Sequence, residues 1–124
     1  MTDEHVPNFL LKKMDVSIPR LQKLLDDARQ RHGQAVLIDC HSMPHEAMDG
    51  VAKTGLRRPD VVLGDRFGAS ATGEVVDRLE AAFVAAGFVV TRNAPFAGAY
   101  ITQAYGRPKK GQHAVQVEID RSIY

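Results

Sequence analysis

QAVLIDCHSMPHE, residues 34–46, opens as a short apolar run and closes in polar groups. Ala35, Val36, Leu37 and Ile38 have the length and composition of a buried strand. Asp39, Cys40, His41 and Ser42 then follow, before Pro44 stops it. Such a strand carries an acid, an imidazole and a hydroxyl to one edge of a sheet. In open α/β sheets the carboxyl edge is where ligands bind. One further acid, Glu118, is expected at the same edge.

The flanking segments supply a fold for this strand. Upstream, Ser17 reads as a helix N-cap with Pro19 in the first turn, where a missing N–H is harmless. Ile18, Leu21, Leu24, Leu25 and Ala28 recur at helical spacing, and Gly33 ends the run. Downstream, residues 44–59 show no sustained pattern and read as a long surface loop of the kind that often carries function. DVVLGD, residues 60–65, is a second short strand. After the Gly-rich GASATG at 68–73, a helix places Val75, Val76, Leu79, Phe83 and Ala86 on one face. Gly87 ends it and residues 88–91 form a third strand. A strand, a helix and a strand with short joints imply a parallel crossover.

Residues 92–98 break that strand. GAYITQAYG, residues 98–106, is either a short helix or an extended flap, and 107–111 is a turn. The last strand, AVQVEI at 114–119, alternates strictly. Val115, Val117 and Ile119 share one face, Gln116 and Glu118 the other. The expected fold class is α/β, a mostly parallel or mixed sheet with flanking helices. We expect a single domain over 1–124, with a poorly defined segment at 1–16.

Bulk properties exclude several classes. The 124 residues carry sixteen basic against fifteen acidic side chains, a net charge of +1, which argues against a nucleic-acid partner held by bulk charge. Basic pairs at Lys12-Lys13, Arg57-Arg58 and Lys109-Lys110 read as solvated loops and helix ends. No apolar run approaches the ~20 residues of a membrane span, and the acidic N-terminus lacks the apolar core of a signal peptide. Cys40 is the only cysteine, so no internal disulfide forms, and a cytoplasmic location is expected.

Few residues could carry chemistry. His41 is either a structural imidazole or a ligand for a divalent metal. His45 lies four residues on, but Pro44 argues against a helical metal pair. Glu118 is either paired with a base such as Arg121 or a general base acting on water. Cys40 is a small packing residue or a thiol nucleophile. Arg92, at a strand end, either grips a substrate carboxylate through a bidentate pair or is an ordinary surface arginine.

Four blocks together carry a resemblance: LIDCHSMP (37–44), DVVLGDRFG (60–68), RNAPFAGAYIT (92–102) and GQHAVQVEIDRSIY (111–124). In order and spacing they resemble the N-formylglutamate amidohydrolase family, from about residue 20 to the end, and correspond to the C-terminal part of a longer chain. The resemblance implies a truncated phosphorylase/hydrolase-like domain, similar to zinc carboxypeptidases. It implies Zn2+ as cofactor, with His41 as the ligand that comes last in the chain and Ser42 beside it at the substrate. It implies Glu118 as the residue that activates water, with Arg92 and Tyr100 in a block near the substrate.

The resemblance implies that the family's other zinc ligands lie in an N-terminal portion that we do not expect in this sequence, where Glu4 and His5 are poor substitutes. The activity implied is hydrolysis of the C–N amide bond of N-formylglutamate or another small-molecule N-acyl amino acid, or of a peptide. The rival is a non-catalytic remnant that binds a partner or self-associates as a homo-oligomer.

Overall fold

The computed structural model describes residues 14–52 and 57–124. Phe9, Leu10, Leu11, Glu4, His5 and the Lys12-Lys13 pair lie outside the described residues. The chain divides into two compact units, Met1–Ala35 and Val36–Tyr124. In the first, helix α1 spans Met14–His32. It starts earlier than Ser17, so Pro19 falls inside the helix. Gly33 adopts a left-handed φ of 83° and donates to Arg29 O, as a helix stop should.

The second unit holds the sheet. Strands β1 (Ala35–Met43), β2 (Val61–Gly64), β3 (Val90–Arg92) and β4 (Gln112–Asp120) pair in the order β1-β4-β2-β3. β2 runs parallel to β3, as the intervening helix α3 (Gly73–Ala85) requires, and antiparallel to β4. The sheet is therefore mixed. Between β1 and β2 the chain makes a 3-10 turn (His45–Met48) and a short helix, α2 (Asp49–Ala52), where the sequence suggested only loop. The segment at 98–106 resolves into helix α4, Tyr100–Tyr105.

Alternation along β4 sorts the core into two layers. Val115 and Val117 join Val61, Leu63, Ala71 and Val76 under α3, with Leu79, Phe83 and Phe88 packed alongside. Removing such side chains from water is the main favourable term in a fold of this size. The opposite layer is thinner: Met43, Met48 and Val62, with Ala47 and Phe96. It shares its face with Gln116 and Glu118, because Val62 pairs with Glu118 and Gly64 with Gln116. The entrance to α3 depends on His113, whose Nδ1 accepts the Thr72 N–H at 3.2 Å. The imidazole is buried and accepts at Nδ1, so it is neutral with its proton on Nε2; burial pushes its pKa down.

Gly64 lets one loop descend onto the sheet. A Cβ there would sit 2.7 Å from both Ala97 C and Gly98 N. Those are backbone atoms, which cannot rotate aside. Gly64→Ala is expected to lower stability by about 1–3 kcal/mol through overpacking. Urea denaturation checks this, and an unchanged midpoint would contradict the close approach.

Candidate functional site

Strand β1 does not end at Asp39. It continues to Met43, so Asp39 and His41 are strand residues and not groups hanging from a strand end. β4 runs antiparallel to β2 and lies beside β1, and the polar groups of β1 and β4 meet on one face of the sheet. By alternation Asp39, His41 and Met43 lie on one face of β1. Met43 packs against Val62, the register partner of Glu118. The charges of His41 and Asp39 both act on the Glu118 carboxyl. The structure therefore brings His41 and Glu118 to the same face, together with Asp39.

Glu118 is 9% exposed. Burial, the larger cause, and the Asp39 charge push its carboxyl above the ordinary carboxylate range; His41 and the Gln116 hydrogen bond oppose them. A carboxyl raised in this way holds its proton to higher pH than an exposed one. Gln116 Nε2 donates to Glu118 Oε2 at 3.0 Å, and Gln116 Oε1 accepts the Ala99 N–H at 3.0 Å. Tyr100 follows Ala99 directly and opens α4 as a residue 57% exposed.

Two loops close over this end of the sheet. Asn93, in a left-handed conformation, accepts the Asp65 N–H through Oδ1 and donates from Nδ2 to Asp65 Oδ1 at 2.7 Å. The chain continues through a cis Ala94–Pro95 bond to Ala97, whose carbonyl accepts the Arg66 N–H. Arg66 Nη1 donates to Gly98 O at 3.1 Å. Arg66 and Phe67 also have positive φ, 54° and 56°, a strained geometry for side-chain-bearing residues.

Arg92 is placed elsewhere. Its register partner, Leu63, faces α3, and so does Arg92. Arg92 Nε donates to Glu80 Oε1 at 2.6 Å and Nη2 to Asp77 Oδ1 at 2.7 Å. Its cation ties β3 to α3 on the face opposite Glu118, which corrects the expected grip on a substrate carboxylate. Ser42 alternates to the other face of β1 from His41 and does not join it. The Cys40 thiol is pushed up by desolvation and by Asp39, which disfavours the thiolate a nucleophile needs.

The pairing of a second imidazole, His45, was not legible in the sequence. His45 donates from Nδ1 to Asp120 Oδ2 at 2.7 Å, and Ser122 Oγ lies 3.3 Å from the same nitrogen. Burial opposes ionisation of Asp120, but the Ser122 N–H and His45 outweigh it and hold the carboxyl below its usual range. Gln116 was also passed over, although its parity with Glu118 placed both on one face.

A zinc ion needs about three protein ligands. His41 donates from Nε2 to Asp39 Oδ2 at 2.9 Å, the carboxylate–histidine pairing that orients metal-binding imidazoles, and leaves Nδ1 open. Among the described residues, however, no three His, Cys, Asp or Glu side chains converge on one point. These residues do not by themselves complete a zinc site.

The fold and the site define an α/β protein with a buried carboxylate, raised in pKa, on a sheet face. Comparison with known proteins sharpens that class. Residues 19–124 match the N-formylglutamate amidohydrolase family, and the chain belongs to that family. It is 38% identical over 109 residues to the N-formylglutamate deformylase of Pseudomonas putida. It is 40% identical over 97 residues to the Pseudomonas aeruginosa protein of that name. These alignments cover 84% and 74% of this chain but 38% and 34% of the relatives. The crystal structure of N-formylglutamate amidohydrolase from Ralstonia eutropha superposes with a TM-score of 0.73 at 33% identity, over 86% of this chain and 38% of that one. The chain thus spans little more than a third of the length of these relatives.

The raised Glu118 carboxyl has a consequence for stability. Between its ordinary pKa of 4.5 and its higher folded value, the folded state holds a proton that the unfolded state has lost. Stability therefore falls as pH rises through that window. Glu118→Gln removes this loss and keeps an acceptor for Gln116. Thermal melts should show the variant more stable than wild type at pH 7, with the difference closing toward pH 4.5. A difference independent of pH would contradict the assignment.

Proposed function

We propose that this chain carries the acid–base part of an amidohydrolase site acting on the C–N amide bond of N-formylglutamate or a similar N-acyl amino acid. The observation that supports this most directly is the buried Glu118 carboxyl, raised in pKa, on one sheet face with His41 and Asp39. The names of the relatives support the substrate class. In the reaction, Glu118 takes a proton from the attacking water and returns one to the departing amine, so the amide nitrogen leaves protonated. A zinc ion, when bound, would polarise the acyl carbonyl and acidify that water. It would take His41 as one ligand and draw the others from outside the described residues.

The substrate carboxylate needs a cation on this side of the sheet, and Arg66 takes the role expected of Arg92. Its guanidinium bonds Gly98 O, one residue before the amide that Gln116 holds. A charge-assisted hydrogen bond is worth about 1.5–3 kcal/mol. Arg66→Met should therefore raise KM for N-formylglutamate about 10- to 100-fold. Arg92→Met should leave KM unchanged and lower the melting temperature. The reverse pattern in steady-state kinetics would return the role to Arg92.

The activity itself is tested by formate release from N-formylglutamate with added zinc. Where the remaining zinc ligands are supplied from outside the described residues, turnover is expected, with a loss of about 100-fold or more in the stable Glu118→Gln variant, the range typical of a removed general base. Full activity in that variant would reject Glu118 as the base. No turnover in the wild type would favour a non-catalytic member of the family that binds a partner.

A further inference from the structure

Gln116 is 4% exposed, so both ends of its amide must find partners inside the protein. At one end is the Ala99 N–H, which can only donate, so Oε1 must face it. Nε2 is then turned to Glu118 and Oε2 of that carboxylate must accept. The opposite flip would set donor against donor at Ala99 and oxygen against oxygen at Glu118. A backbone amide thus fixes the orientation of the Gln116 amide, which ties one oxygen of Glu118, Oε2, and leaves the other to meet different groups. Gly64, the register partner of Gln116, reinforces this: without a Cβ it admits Ala97 and Gly98 onto the sheet, which brings Ala99 within reach.

We infer that Gln116 is the positioning residue of this site. It holds the Glu118 carboxylate by one oxygen and couples it to the loop that ends at Tyr100. The inference deepens the hydrolase reading above, and its kinetic part rests on that reading. The other charged groups around Glu118 cannot replace it. Asp39 repels the carboxylate, His41 donates its Nε2 proton to Asp39, and Asp120, two residues along β4, is bonded to His45 and Ser122. Val62, opposite on β2, has nothing to donate from its side chain. The free oxygen is the one left to meet water, and the 97–100 loop is linked to the carboxylate through one amide side chain.

Two variants separate this role from simple loop anchoring. Gln116→Glu keeps an acceptor for the Ala99 N–H but offers Glu118 no donor and sets a second negative charge beside it. Gln116→Met removes both contacts. The positioning role predicts kcat lowered about 10- to 100-fold in both variants, as for lost supporting hydrogen bonds at other sites, with KM little changed. Hydrogen exchange should find the Ala99 amide still protected in Gln116→Glu and exposed in Gln116→Met. Wild-type kcat in Gln116→Glu would overturn the proposal and leave Gln116 as a loop anchor. If the wild-type chain does not turn over N-formylglutamate, that failure belongs to the functional reading, and the contact is read by NMR. The Gln116 side-chain N–H resonances should then shift in Glu118→Ala, and unchanged resonances would overturn the proposal.

Discussion

A carboxylate taken out of water on the inside of a sheet is unfavourable unless donors and charges face it. Glu118 is such a group, and the surrounding structure is arranged to hold it. β4 is buried over almost its whole length, with valines turned to the α3 layer and polar groups turned away. β1 brings an imidazole to the polar face, β2 gives up a side chain at Gly64, and the 93–99 loop lends a backbone amide through Gln116. Each provision is small. Together they keep an ionisable acid at a place where water alone would have solvated it.

The two faces of the sheet have different chemistry for a simple reason. The α3 face is closed by a full helix, so its polar groups, such as Arg92, are consumed by Asp77 and Glu80 at the margin. The Glu118 face is closed by shorter pieces: a 3-10 turn, a loop and the six residues of α4. Short pieces leave more polar backbone and side-chain groups to be paired with one another. The Ala99–Gln116–Glu118 chain of hydrogen bonds, the Asp65–Asn93 exchange and the His45–Asp120 pair all satisfy that requirement.

Strand patterns were legible where burial is regular. The alternation AVQVEI put Val115 and Val117 on one side and Gln116 and Glu118 on the other, and the sheet keeps that division. β1 was underestimated because Asp-Cys-His-Ser looks like a strand's end. A strand at the margin of the described sheet needs apolar residues over only part of its length, so its hydrogen bonding to β4 continues beneath polar side chains. The short helices α2 and α4 were obscured for a related reason. Four or six residues are too few for a helical period to emerge from sequence.

By itself, the sequence determined the α/β class, the main helix and strands, the two-sided character of β4 and membership of a family through four blocks in register. These follow from periodicity and local residue chemistry, which act over a few neighbours. Only the tertiary structure decided which strand lies beside which, and hence which face each polar group meets. Arg92 turned to α3 because its register with Leu63 set its parity. His41 reached Glu118 because β1 pairs with β4 across more than seventy residues of chain. Parity and pairing are properties of the assembled sheet, and a single strand read alone does not contain them.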